Sequence, residues 1–377
     1  MSHAPLAGCR VLDLGIITAG ASTSAMLADL GADVVKVEAS AYIDPFRMWD
    51  KGLGAAHWWN KSRFFDFTNR NKRGLALDLK TAKGKELFLD LVANADVVVE
   101  NFRRGVMERL GLGFETLSAR NPRLVLVSVT SQGQTGPDAK AASFGSTLEA
   151  TSGLADLTRD AQGVPLISGI LLNYPDQIVS LYAAGVATLA VMEQRRTGRG
   201  AWLDISQREL ASFLIGEHIL AASAGATPAP SDAAAPPATK LAAAGDGRWL
   251  LCHGASRESL DRAVNALAPG GRSTMDAAAL AAAFAERDVQ AIAVRNGEDM
   301  LEAVRNGETR TAFAQTPDGA DVKGLPLTFA GAPLTITRRA PALGEHNAEI
   351  LHDLLGLDEA AIATLAADGV IGSRPKG

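Results

Sequence analysis

The sequence predicts an α/β protein, with a helix-covered parallel sheet in a large domain and a second, smaller αβ domain. Length carries part of this, since 377 residues correspond to two domains at roughly 150 residues each. The order of segments carries more: short apolar strands alternate with helically spaced stretches, the pattern of parallel strands joined by crossover helices. A shift in composition near residue 223 marks where the second domain begins. With 47% hydrophobic and 21% charged residues, the chain has the make-up of a folded protein rather than a disordered one.

Residues 11–14 (Val-Leu-Asp-Leu) form a short apolar strand and 15–20 a turn-prone loop. Residues 22–30 space apolar side chains as a helix does, with Ser22 or Thr23 expected to cap its first turn and Gly31 to end it. A strand over 34–37 completes a β-α-β unit. The alternation continues with a helix over 85–93, a strand over 97–99 that runs into Glu100-Asn101-Phe102, and a strand over 124–129. A long apolar helix over 177–195 is rich in small residues, which suits a buried or interface position. Arg195, Arg196 and Gly198 supply the cations and glycine of its C-terminus. Residues 223–239, dominated by Ala and Pro, read as a linker. A strand over 249–252, an Ala-rich helix over 275–286 and a helical tail from Leu343 follow. The expected organisation is a large domain over 1–222, completed by 330–377, the linker 223–239, and a small domain over 240–329.

A formal charge of −5 offers no basic face for nucleic acid, although a phosphate site needs only a few well-placed Arg and Lys. Cys9 and Cys252 are far apart and lack metal-ligand spacing, so both are expected to be buried thiols of a reducing compartment. No basic-plus-apolar leader opens the chain, and charges break the apolar stretches before the ~18 residues of a membrane span. The expectation is a cytoplasmic protein with neither a nucleic-acid nor a membrane partner.

The loop from Gly15 to Gly20 lacks the G-x-G-x-x-G spacing that brings backbone amides against a pyrophosphate, and Gly111 and Gly113 follow a helix rather than a strand. A nicotinamide enzyme is therefore disfavoured. Basic residues cluster at Arg70-Asn71-Lys72-Arg73, at Lys80, and at Arg103-Arg104 with Arg109; by composition these read as solvated surface. Asn101-Phe102-Arg103 stands apart because it follows a strand directly, and ligands of open parallel sheets bind beyond the carboxyl ends of strands. An amide, an aromatic face and guanidinium groups there suit the adenine and phosphates of a nucleotide-like cofactor. Asp176, in Asn173-Tyr174-Pro175-Asp176, falls beside the start of the long helix. Two readings stay open for it, an N-cap or a nucleophilic carboxylate held among backbone amides, and one oxygen could serve each.

Several segments in order resemble the family III CoA-transferases, the group that includes formyl-CoA transferase and carnitine-CoA transferases. They are 5–14 (PLAGCRVLDL), 28–38 (ADLGADVVKVE), 71–80 (NKRGLALDLK), 99–103 (VENFR) running on to 109–111 (RLG), 133–137 (GQTGP), 196–200 (RTGRG) and 343–346 (LGEH). Each alone is weak and the ordered set is specific. The resemblance implies a large Rossmann-like parallel-sheet domain, a smaller α/β domain and an interlocked dimer. It also implies transfer of CoA from an acyl-CoA donor to a carboxylic acid, with Asp176 as nucleophile, through an aspartyl anhydride and an aspartyl-CoA thioester. By the same carry-over Thr18 and Ala19 lie at the acyl and pantetheine end of CoA, Leu77 and Lys80 frame the adenine and its phosphate, and Asn101, Phe102, Arg103 and Arg109 make further CoA contacts. CoA is then a substrate, and no metal, flavin, nicotinamide or other tightly bound cofactor is implied. Succinyl-CoA and acetyl-CoA are the donors the resemblance suggests.

The chain departs from the family pattern at several points. Ala39 stands where many members carry Arg, which removes a phosphate contact, and Thr18 replaces the Gln of the formyl-CoA enzymes. Phe144-Gly145 stands where the related α-methylacyl-CoA racemases have a His-Asp pair, so epimerisation has lost one base. The segment after the linker is short, and no glycine run in it matches the loop that covers the intermediate in the family. A homodimer is expected. The alternative is a CoA-binding, weakly active subunit of a heteromer, with a CoA-thioester isomerase behind it.

Overall fold

The structure, a computed structural model, describes residues 4–49, 55–160, 162–168, 172–225, 238–309, 313–332 and 334–376. The chain divides into two compact units, Met1–Ile215 with Ala312–Gly377, and Gly216–Thr311.

The first unit is built on six parallel strands: β1 (Arg10–Asp13), β2 (Asp33–Glu38), β3 (Arg73–Ala76), β4 (Val97–Glu100), β5 (Val125–Thr130) and β6 (Ala201–Ser206). They lie in the order β3-β2-β1-β4-β5-β6. Successive side chains of a strand point to opposite faces, and the Val-rich strands feed two cores at once. Leu12, Val35, Val98 and Leu126 pack beneath Leu87, Phe88 and the tail residues Ile350, Leu351 and Leu365. Val11, Val34, Val97 and Val125 pack beneath Met26, Val179, Ala183 and Ala187. The α/β expectation holds, and the strand order reverses between β1 and β4. At such a switch point the two loops leave in opposite directions and open a crevice at the carboxyl edge.

The first helix spans Ala19–Asp29, three residues ahead of its expected start, and all eleven of its residues are buried. Ser22 and Thr23 are not its caps. Thr23 Oγ1 donates to the Ala19 carbonyl at 2.7 Å and Ser24 Oγ to Ala21 at 3.0 Å, so these hydroxyls are satisfied inside the helix and can be buried whole. The long helix runs Tyr174–Thr197, with Pro175 in its first turn and Gly198 ending it at φ 73°. One stripe, including Val179, Ala183, Ala187 and Val191, is buried, while Leu181, Tyr182, Leu189 and Met192 are exposed on the other side. By length and apolar content alone this helix could cross a membrane, but its buried stripe belongs to the sheet core.

The basic run at 70–73 is not solvated surface. Arg70 pairs with Asp29 at 2.5 Å, Lys72 with Asp13 at 2.8 Å and Arg73 with Asp33 at 2.7 Å, all three basic groups being largely or wholly buried. Composition cannot tell a solvated cation from one whose carboxylate lies forty or more residues away.

In the second unit β7 (Ala238–Ala243), β8 (Trp249–Gly254) and β9 (Val289–Ala293) form an antiparallel sheet in that order. Helices Arg257–Leu267 and Ala277–Ala285 pack Leu260, Val264, Leu280 and Phe284 onto Leu250, Cys252 and Val289. Of the expected linker 223–239, residues 226–237 lie outside the described residues. A short hairpin, β10 (Phe313–Gln315) and β11 (Asp321–Lys323), belongs to the first unit.

Candidate active site

The loop after β1 is fixed by side chains from four directions. Asp13 accepts the Gly15 N–H at 2.8 Å, and Asn101 both accepts from Ile16 N (2.7 Å) and donates to Ile16 O (3.0 Å). Asp44 accepts the Ile17 N–H at 3.1 Å, and the Lys36 ammonium donates to the Gly15 carbonyl. Behind these contacts stand buried ion pairs, Lys36–Asp44 at 3.1 Å and Lys72–Asp13 at 2.8 Å. Burial lowers Lys72 to about 8 despite the opposing pull of Asp13. Next to them burial would raise Glu38, yet the Arg47 guanidinium, 2.7 Å away, holds it down at about 2.

Ile17 sits at φ 59°, a backbone region that β-branched residues avoid. Such strain persists only where the surroundings over-determine it, and it gathers at functional sites. The result is a rigid entry to the Ala19–Asp29 helix, with Thr18 and Ala19 at its mouth and buried. A Cβ on Gly20 would stand 2.7 Å from Asn101 Oδ1, so only glycine lets the helix approach that amide.

Asp176 lies on the long helix, whose first turns meet the start of the Ala19–Asp29 helix. It lies in the first turn but is not the cap, since Asn173 holds that position. Ser180, one turn on, donates to the Asp176 carbonyl at 2.6 Å and lies 3.1 Å from the Ala19 carbonyl, which ties the two helix starts together. The half-buried carboxyl is pushed up to about 6 by burial, opposed only by its own backbone N–H. On its other side, Asp176 Oδ2 would stand 3.0 Å from a Cβ on Gly145, the first residue of the Gly145–Thr151 helix. Position 144, which carries an exposed phenyl ring, is therefore a neighbour of Asp176. Replacing Gly145 with Ala is expected to slow any reaction at Asp176 by about tenfold or more, because sub-ångström displacement of a reacting group is costly. Initial rates beside thermal melts check this; a melt within a few degrees of wild type should accompany the loss.

Asn101 thus holds the loop that leads to Thr18, and Ser180 ties Ala19 to the turn that carries Asp176, with Thr18 and Ala19 themselves buried. The fold leaves the other expected residues further out. Phe102 is half-buried against the core, its N–H donating to Glu100 Oε2 at 2.8 Å, and burial raises that Glu100 carboxyl to about 7. Arg103 and Arg109 are exposed beyond β4, with no ion pair among the described residues, and so are open to an anion. Lys80 is exposed beyond β3, two strands from β1, or about 10 Å at ordinary strand spacing. Leu77 is wholly buried and bridges to Ile371, so its side chain faces the core rather than a ligand. Asn101, expected to contact the ligand, instead spends both ends of its amide on the loop that carries Thr18. Lys36, Asp44, Ser180 and Gly145 join the site through the fold. Of these, Lys36 falls within the family-like segment 28–38 and Gly145 within the Phe144-Gly145 departure, while Asp44 and Ser180 carry no signal in the sequence.

Residues 6–271 match the model of CoA-transferase family III. The chain belongs to CoA-transferase family III. A succinyl-CoA–D-citramalate CoA-transferase from Chloroflexus aurantiacus is 30% identical to this family III chain over 410 aligned residues, covering 97% of this chain and 98% of that relative. A succinate–glutarate CoA-transferase from Agrobacterium fabrum is 29% identical over 391 residues, covering 95% and 97%. Among solved structures, a CaiB/BaiF family protein from Brucella suis superposes with a TM-score of 0.81 at 26% identity, covering 94% of this chain and all of that one.

Proposed function

We propose that this family III chain transfers CoA from an acyl-CoA to a carboxylic acid, with Asp176 as the covalent nucleophile. The observation that carries the reading is the position of Asp176: a half-buried carboxyl against Gly145, in the first turn of a long helix that Ser180 ties to the Ala19 carbonyl. The Asp176 carboxylate attacks the thioester carbonyl, and collapse of the tetrahedral adduct expels CoA thiolate and leaves an acyl-aspartyl anhydride. The thiolate attacks the aspartyl carbonyl and releases the donor acid, giving an aspartyl-CoA thioester. The acceptor carboxylate then attacks that thioester and expels the thiolate, which takes the acceptor's acyl group and frees Asp176. Protons balance without an added acid or base. Oxygen charge at each adduct calls for fixed N–H donors, and the first turns of the helices starting at Gly145 and at Ala19 are the proposed supply.

Arg103, Arg109 and Lys80 are the proposed partners of the CoA phosphates, because all three are exposed cations at the carboxyl edge of the sheet. Short-chain donors such as succinyl-CoA and acetyl-CoA are proposed, with dicarboxylic acceptors suggested by the names of the two relatives. The exposed apolar face of the Tyr174–Thr197 helix supports a dimer. The two free, buried cysteines accord with a reducing, cytoplasmic setting. Mixing the purified chain with a panel of acyl-CoAs and acids, and following exchange by chromatography, tests the reading. New acyl-CoA must appear only when donor and acceptor are both present. CoA binding without exchange would favour a weakly active subunit that needs a partner chain.

A further inference from the structure

The β10–β11 hairpin delivers Lys323 to the first turn of the Tyr174–Thr197 helix. Its ammonium donates to Gln177 Oε1, on the residue directly after Asp176, and lies 5.4 Å from the centre of the Phe67 ring. Lys36 and Lys72, both wholly buried, each meet a carboxylate. Lys323, half-buried, has no ion pair among the described residues. Burial, with the Arg70 guanidinium adding to it, lowers Lys323 to about 8, which leaves it charged at neutral pH.

A sheltered cation without a counter-charge is costly in a fold, and a neutral side chain would tether the hairpin to Gln177 equally well. The arrangement suits a site that receives its anion from the ligand. Gln177 fits the same role. Its oxygen accepts from Lys323, while its NH₂ makes no bond within the described chain and can donate to an anion held by the ammonium. Neighbouring Cα atoms are about 3.8 Å apart and diverge by about 100° on a helix. Asp176 and the Gln177 that Lys323 meets are thus neighbours on one helix turn, and an acid with two carboxylates is the ligand that would engage both.

We infer that Lys323, assisted by Gln177, determines specificity by binding the second, non-reacting carboxylate of a short dicarboxylic acid whose first carboxylate reacts at Asp176. The inference rests on the transferase reading above and assigns a substrate feature to a residue within it. The test compares kcat/KM for succinate against butyrate, and glutarate against valerate, with butyryl-CoA as a fixed donor. It uses the wild-type chain, Lys323→Met and Lys323→Arg. Wild type is expected to prefer each diacid. The Met variant should lose roughly 10- to 100-fold on diacids while monoacids stay within about twofold, and Arg should restore most of the preference, as loss and return of a charge-assisted bond predicts. The ratio is taken within one preparation, so a partly folded variant does not distort it. An unchanged ratio in the Met variant, an equal loss on both acid types, or no wild-type preference would each overturn the inference. Absence of any exchange by wild type is a separate outcome that would sink the transferase reading and this inference with it.

Discussion

Asp176→Asn should abolish CoA transfer, with a loss of at least about 10⁴-fold, while making the protein more stable at pH 7. Both effects come from one carboxyl. Asn has nearly the same shape but no anionic oxygen, so the anhydride cannot form. Stability follows from the sign of the shift. The folded carboxyl titrates at about 6 against an ordinary aspartate value of 3.8, so the folded state holds that proton more tightly than the unfolded chain does. Ionised Asp176 therefore weakens the fold, fully above pH 6 and progressively less as pH falls toward 4. Asn removes a cost of up to about 3 kcal/mol at neutral pH, at 1.36 kcal/mol per unit of pKa. Activity should run the opposite way, falling as pH drops through about 6 and the nucleophile takes up its proton. Melting curves of both proteins at pH 4.5 and pH 7 check the pair of effects: the variant's advantage should shrink at the lower pH.

The second large effect lies beneath the loop that holds Thr18. Lys72→Met leaves Asp13 buried without its partner, and a widowed buried charge costs about 3–5 kcal/mol. For a unit of this size that is a fall of roughly 10 °C in melting temperature. Pairing it with Asp13→Leu removes both charges and should recover part of the stability. Activity should not return in the double variant, because Asp13 also accepts the Gly15 N–H at 2.8 Å and that bond stays lost. Stability regained without activity would separate the loop's positioning from the ion pair's contribution to the fold. Full recovery of both would mean that the network does not position the loop.

These two residues also show how far the sequence could be read. The β1 strand and the helix after it were legible because apolar spacing is local, and the Gly31 stop worked because a positive φ favours glycine. Asp176 stood out by its place beside a long apolar helix. Local patterns say nothing of partners distant in the chain, however. Lys72 reads as one of a run of cations, and only the fold shows Asp13 beneath it. Ser22 and Thr23 read as caps because hydroxyls usually serve that way; close packing on the sheet instead drew them inside a helix that starts earlier. Lys323 carries no sequence signal at all, since a single lysine in a short hairpin gains meaning only from Gln177 and Phe67 around it.

The most direct measurement is mass spectrometry of the purified chain mixed with acyl-CoA thioesters and quenched with hydroxylamine or borohydride, followed by peptide mapping. The account predicts a modification on the peptide bearing Asp176, at that carboxyl, formed by wild type and absent from Asp176→Asn. Exchange that proceeds with no mark on Asp176, or that survives in the Asn variant, would contradict a covalent aspartyl route through this site.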